Sequence, residues 1–169
     1  MLKELFNLEV FFEDCYRRVS VREYAKLIHV APPTASSLLK KYYSEHLLLF
    51  QKEHGRHFFY ANKDSNDFID LSRMYWRNNL QKIVNLILKQ TVSATIVLYG
   101  SLSKGEANVK SDVDIMVFSP EKKKIHLENE EKKLKRKISI LQFTSLKEIQ
   151  NEHLRNNVMN GYKLCGFLR

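Results

Sequence analysis

The chain has 169 residues, a formal net charge of +9 and a sequence pI near 9.5, so an anionic partner is expected and an acidic, self-repelling chain is excluded. The length admits one domain or two small ones, and each half holds enough apolar residues for a core. No apolar run approaches the length of a membrane span, and the two cysteines, Cys15 and Cys165, like the six histidines, lack metal-site spacing. The N-terminal run MLKELFNLEVFFEDC is interrupted by Lys3, Glu4, Glu9, Glu13 and Asp14, which makes a poor signal peptide. The expectation is a cytoplasmic protein with reduced, buried thiols and no membrane partner.

Residues 2–14 fit an amphipathic helix with Leu5, Leu8 and Phe12 on one face. Ser20 and Glu23 form an S-x-x-E capping box, which satisfies free backbone donors where a second helix starts. Val21, Tyr24, Ala25 and Ile28 then recur at helical spacing, and this helix ends near His29-Val30. Pro32-Pro33 marks the next start, followed by the stripe Ala35, Leu38, Leu39, Tyr42. The opposite face carries Thr34, Ser36, Ser37, Lys40 and Lys41. Two apolar strands, Leu47–Lys52 and His57–Ala61, flank a Gly55-containing turn and read as a hairpin.

Three helices and a hairpin, with SVREYAK (20–26) and PTASSLL (33–39) as core helices, resemble a winged helix-turn-helix domain over roughly residues 1–62. The resemblance implies double-stranded DNA as partner. Thr34, Ser36, Ser37, Lys40 and Lys41 would face the major groove, and Lys52, His54 and Arg56 would touch DNA from the wing. That helix has no Arg, Asn or Gln, the bidentate base readers, so strong sequence specificity is not expected. The alternative is a protein-interaction module whose lysines form a solvated face.

Asp64-Ser65-Asn66-Asp67 is a polar break and a helix start. One long helix is expected from about 66 to 89, with Phe68, Leu71, Tyr75, Trp76, Leu80, Ile83, Val84 and Ile87 at helical spacing. Its wide apolar face could pack on both flanking domains or pair with a second copy, giving a homodimer through the 66–89 helix. Tyr75 and Trp76 read as core or dimer contacts.

The stretch TIVLYGSLSKGEANVKSDVDIMVF, residues 95–118, reads as a strand, a Gly-Ser turn, a polar loop and a second strand opening on two aspartates. Strand alternation puts Asp112 and Asp114 on one face, about 6.5–7 Å apart along the backbone, and Val113, Ile115 and Val117 on the other. Two such carboxylates can converge on one hard cation, and Mg²⁺ is commonly held by one or two carboxylates plus substrate phosphates. The Gly100-Ser101 turn can offer backbone N–H groups and a hydroxyl to a phosphate. Ser-Asp-Val-Asp alone would read as a turn and edge protection; the upstream Gly-Ser turn tips the reading to a metal–nucleotide site. Downstream, a charged helix is expected over about 121–135 and a strand over 137–143. Ser145 and Glu148 suggest another capping box with a helix from 146 to about 156. The tail 158–169 is too apolar to be free.

Gly100-Ser101, Gly105 and Ser111-Asp112-Val113-Asp114 resemble the signature of the DNA polymerase beta superfamily of nucleotidyltransferases, above all its minimal members, over roughly residues 92–145. The resemblance implies that Gly100 and Ser101 contact the phosphates of an NTP, ATP foremost, that Asp112 and Asp114 bind Mg²⁺ as catalytic metal ligands, and that Lys104 assists with phosphate charge. The family's third carboxylate belongs on the later strand, but KISILQF (137–143) contains none. Glu128, Glu130 and Glu131 are candidate replacements, in a segment that reads as a solvated helix.

The expected fold class is therefore α+β: a winged helix over 1–63, a connector or dimerisation helix over 64–90, and a small mixed-sheet nucleotidyltransferase-like domain over 91–169. The leading expectation is a DNA-binding transcriptional regulator whose second domain binds Mg²⁺–NTP with weak or no turnover. One alternative is an active nucleotidyltransferase that modifies a protein or other hydroxyl acceptor, as antitoxin relatives modify a partner toxin. The other is a non-catalytic dimeric regulator.

Overall fold

A computed structural model describes residues 2–168, with side chains from Leu5 onward. The chain forms two compact units: residues 1–75 together with 105–109, and residues 76–104 together with 110–169.

The first unit begins with α1 (Leu2–Glu13), α2 (Val21–Leu27) and α3 (Pro32–Ser44). Leu5, Leu8 and Phe12 of α1 are buried as their spacing requires, and Phe11 joins them. Phe11 packs on Tyr24 at 5.8 Å between ring centroids, and Phe12 on Phe68 and Tyr75 at 5.3 and 5.4 Å. The Ser20 hydroxyl caps α2 by accepting from the Glu23 N–H at 3.3 Å. Ala35, Leu39 and Tyr42 turn the apolar stripe of α3 inward, with Pro in its first turn. Strands β1 (Leu48–Glu53) and β2 (Arg56–Ala61) form an antiparallel hairpin in which Glu53 faces Arg56. The two turn residues, His54 and Gly55, both adopt positive φ, 46° and 75°, the backbone a tight hairpin demands. Helices plus hairpin are thus arranged in a winged-helix-like way. Residues 105–109 belong to this unit, where the Cys15 N–H donates to the Ala107 carbonyl at 2.9 Å.

The expected long helix is two: α4 (Asn66–Asn79) and α5 (Gln81–Gln90), separated at Leu80. Asn78 and Asn79, weak helix formers side by side, precede the break. The apolar face is buried within the single chain. Phe68 and Tyr75 lie in the core of the first unit, and Trp76, Leu80, Ile83, Val84 and Ile87 in that of the second.

The second unit is built on a four-stranded mixed sheet in the order β5-β4-β3-β6. Strand β3 (Thr95–Tyr99) is followed by the short helix α6 (Ser101–Lys104) and by β4 (Val113–Phe118). After α7 (Glu128–Leu134) come β5 (Ile138–Phe143), α8 (Glu152–Met159) and β6 (Tyr162–Cys165). Strand β4 runs antiparallel to β3 and parallel to β5, and β6 pairs antiparallel with β3. The tail therefore packs back as a strand, as its apolar composition suggested. Both faces of β4 are buried, not one: Val113, Ile115 and Val117 on one side, Met116 and Phe118 on the other. The second face packs with Val97, Tyr99, Ile149 and Val158.

Two further expectations are corrected. The charged helix is confined to 128–134, because Lys123 is held in an extended segment by Gln142 of β5, whose side chain accepts from its N–H at 3.0 Å and donates to its carbonyl at 2.7 Å. The Ser145–Glu148 box does not form. Glu148 instead accepts from the N–H and hydroxyl of Thr144, leaving a single 3-10 turn over Leu146–Glu148. The helix begins six residues later, at Glu152, where Asn151 caps the Leu154 N–H at 2.9 Å.

Both cysteines are free thiols, and burial pushes Cys15 up to about 11 and raises Cys165. Among the described residues no helix is long and apolar enough to cross a membrane.

Candidate nucleotide and metal site

Strand register brings the site together. Tyr99, the last residue of β3, pairs with Asp114 of β4, so the chain leaves β3 directly beside the second aspartate. It turns there at Gly100, with φ 73°. A Cβ at Gly100 would overlap the Asp114 carboxylate unless that side chain moved, and the positive φ also favours glycine here. The Ser103 hydroxyl, buried, donates back to the Gly100 carbonyl at 2.8 Å and closes the turn. Ser101 is half-buried at the start of α6, Asp114 is half-buried, and Asp112 is exposed. The turn and the two carboxylates thus share one place at the end of the central strands. Replacing Gly100 by alanine should cost about 1–2 kcal/mol for the left-handed backbone alone and also displace Asp114; urea unfolding reads the first effect and metal-dependent ligand binding the second.

Burial raises the Asp114 carboxyl above the usual range, and the neighbouring charge of Asp112 adds to the rise. Tyr99 is pushed up to about 12 by burial and then by Asp114. Negative charge is therefore held here at a cost that a bound cation would offset. A carboxyl raised in the folded state contributes stability below its unfolded value, near pH 4, and loses that contribution as pH rises through the folded value. Asp114→Asn should accordingly raise the Tm at pH 7, with the gain shrinking as pH falls toward 4 in a series of thermal melts.

The parallel register of β4 and β5 sets Ser139 beside Asp114. A third carboxylate would be expected on that strand, and a hydroxyl stands there instead. The candidate replacements are engaged elsewhere: Glu131 accepts from the Ile138 N–H at 2.7 Å, Glu130 pairs with Lys133 at 2.7 Å, and Glu128 lies 3.5 Å from the His126 ring. Among the described residues no three His, Cys, Asp or Glu side chains come together for a metal. Two carboxylates beside a Gly-Ser turn would suit a Mg²⁺ that keeps several of its ligands as water and phosphate oxygen.

Lys104 is exposed, and its ammonium donates to Asn157 Oδ1 of α8 at 2.9 Å. Asn157 Nδ2 lies 3.1 Å from His153 Nδ1 one turn earlier. Sequence reasoning missed this pair; their i, i+4 spacing on one helix was the only signal. It also missed Arg136. That residue is buried, donates from Nη1 to the Ser111 carbonyl at 2.8 Å, and places its guanidinium 5.1 Å from the Trp76 ring centroid. Arg136 thereby holds the turn that delivers Asp112.

The profile of the nucleotidyltransferase domain family matches residues 80–165, half of the chain. The chain belongs to the nucleotidyltransferase domain family. No curated protein and no solved structure matches it. The matched span contains β3 to β6 and the residues of the site just described apart from Trp76, so the nucleotidyltransferase unit carries the family relationship. The residues expected to touch DNA lie outside it, on the winged-helix-like unit. There Thr34, Ser37, Lys40 and Lys41 are exposed on α3, Ser36 is half-buried, and Lys52, His54 and Arg56 are exposed along the hairpin.

Proposed function

We propose that the nucleotidyltransferase unit binds an NTP with Mg²⁺, the phosphates against Gly100 and Ser101 and the cation on Asp112 and Asp114. The observation that carries this reading is the close approach of Gly100, at φ 73°, to the Asp114 carboxylate, which sets the Gly-Ser turn against a carboxylate of the pair. The metal would supply Lewis-acid charge at the phosphates. With Ser139 in place of a carboxylate, the reading is of nucleotide binding with little transfer. Isothermal titration of Mg²⁺–ATP and Mg²⁺–GTP tests it: metal-dependent heat is expected, and its absence for both nucleotides overturns the reading. Label moving from an α-labelled NTP to a protein acceptor would establish the transferase alternative.

A second reading is that the winged-helix-like unit docks on duplex DNA and that the nucleotide tunes this docking. It is supported by the exposure of Thr34, Ser37, Lys40 and Lys41 on α3 together with that of Lys52, His54 and Arg56 on the hairpin. Lys40→Ala/Lys41→Ala should weaken duplex binding similarly for all sequences and lower its salt slope by about 2, one for each phosphate no longer neutralised. A gel-shift series in salt measures both, and a duplex that does not bind at low salt removes this reading.

A further inference from the structure

The net charge of +9 is not shared between the units. The first unit holds 11 Lys and Arg against 11 Asp and Glu, whereas the second holds 17 against 8. All of the excess therefore lies on the unit that carries the aspartate pair, not on the winged-helix-like unit where DNA contact was expected.

Within the second unit the densest basic segment is Lys132-Lys133-Leu134-Lys135-Arg136-Lys137. It spans the end of α7 and the entry to β5. Of the acidic residues of α7, Glu130 pairs with Lys133 of this segment, and Glu131 accepts from the Ile138 N–H. Lys132, Lys135 and Lys137 are exposed and form no ion pair among the described residues. Nor is this segment remote from the site. Arg136 donates to the Ser111 carbonyl, and the Val113 N–H donates to the Lys137 carbonyl at 2.8 Å, so the strip flanks the Ser111–Val113 segment that contains Asp112.

We propose that Lys132, Lys135 and Lys137 form a binding strip for the phosphate backbone of a single-stranded nucleic acid, laid past the aspartate pair. Six residues reach at most about 20 Å even fully extended, and half of this strip is helical, so it matches a few successive phosphates of one strand. Unlike α3, it offers no long exposed helix to enter a duplex groove. This binding needs neither metal nor nucleotide, so it stands or falls separately from the Mg²⁺–NTP reading.

The test is fluorescence anisotropy of the full chain in EDTA, without nucleotide, using labelled 20-mers of single-stranded RNA, single-stranded DNA and duplex DNA from 50 to 200 mM salt. Lys135 is the left-handed C-cap of α7 at φ 54°, so it is replaced by glycine to avoid strain, giving Lys132→Ala/Lys135→Gly/Lys137→Ala. Removing three phosphate-neutralising charges should weaken single-strand binding on the order of 100-fold at 0.1 M salt and lower the salt slope by about 2. A Lys132→Arg/Lys137→Arg variant should bind like wild type, and matched Tm values should show that the variants fold. The relative strength of the RNA and DNA single strands identifies the natural strand. Unchanged single-strand binding by the triple variant overturns the proposal. So does a loss that follows Lys40→Ala/Lys41→Ala/Lys52→Ala instead, or a wild type that binds only the duplex.

Discussion

Asp112→Ala/Asp114→Ala should abolish a Tm rise that Mg²⁺–NTP gives the wild type. A ligand present at 100 times its Kd stabilises the folded state by about 2.7 kcal/mol, which for a chain of this length is a shift of about 5–10 °C. Neither the nucleotide without Mg²⁺ nor Mg²⁺ without nucleotide should give the full shift, because on the proposed reading two carboxylates and the phosphates share the coordination sphere. On the proposed reading the double variant removes the protein's part of that sphere, and with it a carboxylate whose charged form burial disfavours, so its own melting point should not fall. That combination separates this prediction from simple unfolding: an equal or higher Tm without ligand, and no response with it. A double variant that still shifts in a Mg²⁺-dependent way would place the metal elsewhere.

Arg136→Ala should be the most destabilising single substitution near the site. The guanidinium is only 7% exposed, lies over the Trp76 ring at 5.1 Å and donates to the Ser111 carbonyl at 2.8 Å. A hydrogen bond from a charged donor is worth about 1.5–3 kcal/mol, and a desolvated cation–π contact adds about 2 kcal/mol. A loss of about 3–5 kcal/mol in urea unfolding is expected, and most of that loss should persist in Arg136→Lys, since an ammonium has neither the plane that stacks on indole nor the fork geometry. Nucleotide affinity should fall as well, because the Ser111 carbonyl immediately precedes Asp112. If Arg136→Ala unfolds at the wild-type urea concentration, the guanidinium does not support this turn.

Much of the fold was legible in short-range pattern. The stripe of α1, the Ser20 cap, the Pro32 start of α3 and the His54-Gly55 hairpin all follow from periods of 3.6 and 2 residues and from local sterics. The same holds for Gly100-Ser101 and Asp114, since a strand and a left-handed turn are local features, although β4 begins at Val113 and leaves Asp112 just before the strand. The failures came where another partner, distant in one case and nearby in the other, displaced the expected one. Gln142 holds Lys123 extended where its neighbours in sequence suggested helix, and Thr144 takes the Glu148 carboxylate that a capping box required. The second buried face of β4 arises because Ile149 and Val158 pack over it, which alternation along β4 alone could not reveal.

By itself, then, the sequence determined most of the element types, the positions of the Gly100-Ser101 turn and of Asp112 and Asp114, and a basic chain without a carboxylate on KISILQF. Those depend on residues a few positions apart, whose geometry a helix or strand sets in advance. Only the tertiary structure decided that Ser139 stands beside Asp114, that Arg136 braces Ser111, that Lys104 reaches Asn157, and that the whole positive excess falls on the nucleotidyltransferase unit. Each is a matter of strand register, of a hydrogen bond between residues far apart in sequence, or of a division of the chain between two cores, and the first and last rest on the packing of the cores. Such packing is long-range burial, which local sequence patterns do not encode.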